Sequence, residues 1–346
     1  MIGIGVVEGF FGPEWSWKSR HRFCESIQSY GGNFYIYAPK RDPYLRKLWE
    51  QNHPAEVWSE LKSLSLTCHR ANVAFGIGLS PFELHSQWNQ KTKGLLREKV
   101  KKLEELDITY LGLFFDDMKG ISDLGVKQLE IVNSVRASTG KTILFCPTYY
   151  SDDPILDRIF GQRSSDYLLQ IGTLPTDIQI FWTGRNVVSK SISANELDAV
   201  AGVLRRKPII WDNYFANDGP KQCKFLKLQP LEGRNQDALK NSAGWAFNLM
   251  NQSSLSEVVF ASSVDVLHND TVPNASFYDA AQRLAGKGFV TSLKAFGDTF
   301  VTLGLDGIDL DRKQQILSTL NESRFSKDII DWLNGKYLVG DECLTD

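Results

Sequence analysis

No run of apolar residues in this chain approaches the roughly 20 needed to cross a bilayer, so no membrane span is expected. Histidine is scarce, and the five present form neither an HExxH nor an HxH pattern, which argues against a histidine-based metal site. The five cysteines, Cys24, Cys68, Cys146, Cys223 and Cys343, are scattered, odd in number and never spaced as CxxC. That pattern argues against a disulfide framework and a zinc knuckle, and predicts thiols. Charge of one sign is also lacking: a formal net charge of −2 gives no electrostatic reason to expect a nucleic-acid partner. Met1 leads directly into IGIGVVEGFFG, without the basic segment and small-residue cleavage site of a secretory signal. The expectations are a structural N-terminus, a cytoplasmic setting, and no metal or cofactor.

What is present is aromatic and periodic. Nine tryptophans and eleven tyrosines supply amphipathic rings able to stack on sugar faces, although most such rings ordinarily serve cores and surfaces. Short apolar, β-rich segments recur along the 346 residues: IGIGVVEGF, NFYIYAPK, VAFGIGLSP, TYLGLFFDD, TILFCPTYY, IQIFWTG, PIIWDNYF and GWAFNLM. Near-continuous hydrophobicity suits strands buried on both faces. Helical patterns over 15–30, 54–71, 91–106, 122–138 and 194–206 lie between them, so a parallel sheet is predicted. Eight such units make a (β/α)₈ TIM barrel over residues 1–268 the expected catalytic domain. Residues 269–346 read as a small helical C-terminal appendage, with helices at 277–285, 313–321 and 326–333, which either braces the barrel or offers a partner surface.

Polar or special residues end the apolar runs in succession: Gly9, Lys40, Ser80, Asp116 with Asp117, Tyr150, Thr183, Asn213 and Asn248. In a barrel these positions converge on the C-terminal face, where active sites form. Two consecutive acids after LGLFF are costly unless they face water, a partner or a substrate. A turn with one aspartate capping the next helix is the plain alternative. As a coupled pair, repulsion and desolvation would raise one pKa, keeping that carboxyl protonated as a general acid while its neighbour stays ionised. Glycosidases with two carboxylates usually set them about 5 Å or more apart across the scissile bond. Adjacent residues instead approach the sugar from one side, which suffices when a 2-acetamido group supplies the nucleophile and closes to an oxazoline.

The segments GVVEGFFG at 5–12, YAPK at 37–40, LFFDDM at 113–118, FCPTYY at 145–150, WTGRNVVS at 182–189 and WDNYFAND at 211–218 resemble, in order, the glycoside hydrolase family 84 enzymes. That family comprises O-GlcNAcases and hyaluronidase-type β-N-acetylglucosaminidases. The resemblance implies a retaining exo-β-N-acetylglucosaminidase acting on a GlcNAc-bearing glycoprotein or oligosaccharide. It assigns Asp116 to polarising the acetamido group and Asp117 to general acid/base catalysis. It gives the Gly9 backbone and Lys40 to sugar hydroxyls, and further polar contacts to Asn213 and Asp218. Tyr150 would support the acetamido group or oxazoline, Cys146 and Trp211 would line the acetyl pocket, and Asn248 matches the asparagine ending the last strand. Without the resemblance, Gly9 fits a tight turn, Cys146 a packed thiol and Asp218 an ordinary turn aspartate.

Phe11 stands where the family often has tyrosine, and Tyr149 where an acidic or polar residue is usual, so a more apolar rim is expected. The stretch between Gly219 and Ala243 is expected to carry little helix and to form a mobile loop over the site. Two other readings compete: an enzyme acting on oligosaccharide or glycosaminoglycan fragments, and a non-catalytic barrel that only binds sugar. A dinucleotide site is disfavoured because Gly3 and Gly5 are followed by Glu8 where the third glycine belongs.

Overall fold

The computed structural model describes residues 2–340 and 343. Eight strands close into a barrel in chain order: β1 (Ile4–Glu8), β2 (Phe34–Tyr37), β3 (Ala74–Leu79), β4 (Tyr110–Phe114), β5 (Thr142–Cys146), β6 (Gln179–Trp182), β7 (Ile209–Asp212) and β8 (Gly244–Phe247). All neighbours are parallel, and β8 closes against β1 with Gly5 opposite Ala246. Each predicted run contains one strand. The strands are shorter than the runs because the last residues of each leave the ladder to build the upper face.

Local chemistry sets the helix starts. Ser16 caps Trp17–Ile27 by accepting the Ser19 N–H, while Asn89 with Thr92 and Ser193 with Glu196 form reciprocal capping boxes on Gln90–Glu104 and Ala194–Leu204. Four helices escape the sequence reading: Pro154–Phe160, Tyr167–Ile171, Gln236–Lys240 and Ser253–Asn269. The last is buried almost all round, so SSLSEVVFASSVDVLHN shows no polar face to mark a helical period. Between Gly219 and Ala243 the chain has only a 3₁₀ turn at Gln222–Lys224 and the short helix Gln236–Lys240.

Inside the barrel, Phe114, Phe181 and Trp211 pack edge to face, with centroids 5.2–5.7 Å apart. Gly112 leaves room for the Phe114 ring: a Cβ there would lie 2.5 Å from Phe114 Cζ. This aromatic trio fills the barrel beneath its upper face.

The C-terminal helices Pro273–Asp298, broken at Gly286, Leu310–Thr319 and Arg324–Leu333 continue the same hydrophobic core. Trp332 is fully buried, donates its indole N–H to the Cys223 carbonyl at 3.2 Å, and meets Phe300 edge-on. Asp328 accepts the Ser254 N–H at 2.8 Å at the start of Ser253–Asn269. Buried Glu257 is held between Arg22, at 2.9 Å, and Arg324, at 2.5 Å, joining the first and last long helices through the eighth barrel unit.

Candidate active site

The ends of the strands surround one cavity, which encloses about 620 Å³ when its open mouth is included. All ten predicted site residues line it: Gly9, Lys40, Asp116, Asp117, Cys146, Tyr150, Trp211, Asn213, Asp218 and Asn248. Thr183 joins them, but Ser80 does not; its N–H instead bonds the Leu45 carbonyl at 2.8 Å.

The acid pair is a product of backbone geometry. Phe114 faces the barrel interior, so the two-residue alternation of a strand directs Asp116 inward and would direct Asp117 outward. Asp117 instead adopts φ 57°, a left-handed conformation that aspartate tolerates better than most residues, and both carboxylates line the cavity. Lys40 makes a short ion pair with Asp116 Oδ2 and lies 3.8 Å from Asp117 Oδ2. Asp116 Oδ1 is buried and has no hydrogen-bond partner among the described residues, which leaves it with spare acceptor capacity. Burial raises the Asp117 carboxyl above its ordinary value, opposed by Lys40 and reinforced by Asp116; Arg46 and Tyr150 pull it down. The Tyr150 hydroxyl approaches Asp117 Oδ1 at 3.5 Å.

The neighbouring networks fix these groups. Asp42, just after Lys40, accepts from the Tyr37 hydroxyl at 3.0 Å, contacts His53 Nε2 at 2.9 Å, and caps the following turn through the Tyr44 N–H. Opposite, Asn248 accepts the Gly9 N–H at 3.3 Å and donates to Asn213 Oδ1, which also receives the Trp211 indole N–H, both at 3.0 Å. Gly9 has to be glycine here, because a Cβ would fall 2.3 Å from the Trp211 ring. Buried Asp212 anchors the end of β7 through Arg234, at 2.9 Å, and Trp245, at 3.0 Å.

Asp218 accepts the Phe11 N–H at 2.8 Å, and burial pushes its carboxyl up to about 6. Its turn is tied to the first strand's loop: Asn217 accepts the Asn251 N–H, and Asn251 donates to the Phe11 carbonyl. Cys146 is buried, and its thiol is pushed well up by that burial. Phe11 lines the cavity as expected, whereas Tyr149 does not. Tyr149 is buried against Tyr167 and donates its hydroxyl to the Gly161 carbonyl at 2.5 Å, so only Phe11 makes the rim more apolar. Sequence reasoning missed Val187, Val188, Gln222 and Cys343 in the lining; valine and glutamine carry no chemical signal by themselves, and Cys343 follows no strand end.

Among the described residues, no group of three or more His, Cys, Asp or Glu side chains could hold a metal ion, and no helix is long and apolar enough to cross a membrane. The arrangement offers a carboxyl biased toward its neutral form, a lysine-paired carboxylate with one spare acceptor, and polar groups around an aromatic floor.

A family model described as beta-N-acetylglucosaminidase matches residues 4–298. The protein O-GlcNAcases of Mus musculus and Rattus norvegicus are each 30% identical over an alignment of 252 positions that covers 69% of this chain. The chain spans about a quarter of those relatives, the aligned share being 27% of each. A solved mutant of an O-GlcNAc hydrolase from Thermobaculum terrenum superposes with a TM-score of 0.81 at 25% identity, covering 96% of this chain and 80% of that one. A family match spanning most of the chain, on a barrel shared with a solved hydrolase, establishes that this chain belongs to the beta-N-acetylglucosaminidase family of glycoside hydrolases.

Proposed function

We propose that this chain removes terminal β-linked N-acetylglucosamine from protein serine or threonine, with retention, through the substrate's own acetamido group. The observation that carries this reading is the unpartnered, buried Asp116 Oδ1 beside a raised Asp117 carboxyl. Asp116 accepts the acetamido N–H, which makes the carbonyl oxygen more nucleophilic toward the anomeric carbon. As the oxygen–carbon bond forms and the glycosidic bond breaks, Asp117 gives its proton to the leaving oxygen. Asp117 then takes a proton from the water that opens the oxazoline, and the sugar leaves with its original configuration. Lys40, Asn213, Asp218, Asn248 and the Gly9 backbone bind hydroxyls, Tyr150 supports the acetamido group, and Cys146 and Trp211 enclose its methyl.

The relatives named protein O-GlcNAcase support a protein aglycone. Cysteines outside any disulfide support a reducing, cytoplasmic setting. We further propose that residues 1–268 carry catalysis and 269–346 brace them, a division supported by Trp332 and the Arg22–Glu257–Arg324 contacts. The test compares an aryl β-N-acetylglucosaminide with the matching β-glucoside, in the wild type and in Asp116→Asn. Selective release of the first, with a loss of roughly 100-fold or more in the variant, is the expected result. Equal release of both sugars, or full aryl activity in the variant, would overturn the mechanism.

A further inference from the structure

A second groove, of about 1140 Å³, opens from the sugar cavity and shares Phe11, Lys40 and Asp117 with it. Contact with Asp117 places it on the side where a leaving group receives its proton. Lys47 and Lys119 stand exposed along it, and among the described residues one further acid, Glu83, faces them. At its inner end lies Arg46, only 8% exposed. Its guanidinium carbon is 5.7 Å from the Phe11 ring centroid and 5.3 Å from that of Phe82. Arg46 Nη2 donates to the Asp117 carbonyl at 3.3 Å, whereas Nη1 is buried and has no partner among the described residues. A guanidinium presents planar donors suited to a carboxylate, and leaving such a donor buried and unpaired costs free energy that an incoming anion recovers.

We infer that this groove seats the polypeptide aglycone and selects segments carrying an aspartate or glutamate beside the glycosylated residue, with Arg46 as the specificity-determining contact. The inference rests on the protein-directed reading above. Among the described residues Arg46 has no ion pair for the carboxylate to displace. The exposed lysines add a longer-range, salt-screened attraction.

The test uses the full chain and two synthetic peptides bearing GlcNAc on one serine, flanked by glutamates in one and glutamines in the other. An aryl N-acetylglucosaminide and a GlcNAc–glucuronate disaccharide serve as further substrates. The expected preference in kcat/KM is about tenfold for the glutamate peptide at low salt, narrowing as ionic strength rises. Arg46→Gln brings the peptide ratio close to one, Arg46→Lys keeps part of it, and the exposed Lys119→Gln lowers it slightly. Reading the ratio within each variant cancels any change in intrinsic turnover caused by the Asp117 carbonyl contact. A wild-type ratio of one, with the aryl glycoside still cleaved, overturns the groove assignment alone. No release from the aryl glycoside overturns the parent reading as well. An Arg46-dependent preference confined to the glucuronate disaccharide replaces the peptide with a glycan.

Discussion

Replacing Asp218 with asparagine should change how stability depends on pH. In the fold, burial moves its carboxyl from an ordinary 3.8 to about 6, so the folded state binds this proton more tightly than the unfolded chain does. Where the native state holds the extra proton, stability falls as pH rises. The Asp218 contribution is therefore complete below about pH 4, declines through about pH 6, and is gone above it. A shift of about two pKa units corresponds to about 3 kcal/mol, and discounting for the half-buried position leaves about 2. Asparagine cannot titrate, yet its amide oxygen can still accept the Phe11 N–H. Urea unfolding of both proteins between about pH 4 and pH 7 should show the wild type losing about 2 kcal/mol relative to Asp218→Asn. A difference that stays constant across that range would refute the reasoning.

Asp117→Asn should depress turnover of substrates with poor leaving groups far more than that of aryl glycosides, because only the former need protonation; equal losses would remove its acid role. The same variant should lose the alkaline limb of the wild-type profile, which burial of Asp117 moves upward from where an ordinary aspartate would set it. Gly9→Ala places a methyl 2.3 Å from the Trp211 ring and should cost about 1–3 kcal/mol while raising KM, read by melting and aryl-glycoside kinetics. Unaltered binding there would mean that the ring does not shape the sugar cavity. Trp332→Ala should destabilise by about 3–5 kcal/mol in urea unfolding while the folded enzyme keeps its KM; a loss under about 1 kcal/mol would end the bracing reading.

The barrel was legible because strands buried on both faces carry their burial in composition, and because successive runs such as TYLGLFFDD end in groups too polar to bury without partners. The convergence of Lys40 with Asp116 was implied by strand-end position before any distance was known. Ser253–Asn269 was hidden for the opposite reason: burial on all sides erases helical periodicity. Tyr149 misled because a position beside Tyr150 does not fix which way the side chain turns, and here the Gly161 carbonyl draws it away from the cavity. Arg46 was invisible as well. Its meaning lies in one unpaired nitrogen and two flanking rings, brought together by segments distant in sequence.

The left-handed turn at Asp117 also limits what evolution can put there. Aspartate, asparagine and glycine enter that region most readily, whereas other residues pay more for the left-handed well, as Glu83 and Arg205 do elsewhere in this chain. A longer acid is thus not an easy substitute, even though it has the right functional group. The neutral residues that do fit, asparagine and glycine, satisfy the same backbone geometry. With Asp117 in the role proposed above, giving up turnover within this fold is conformationally easier than redesigning it.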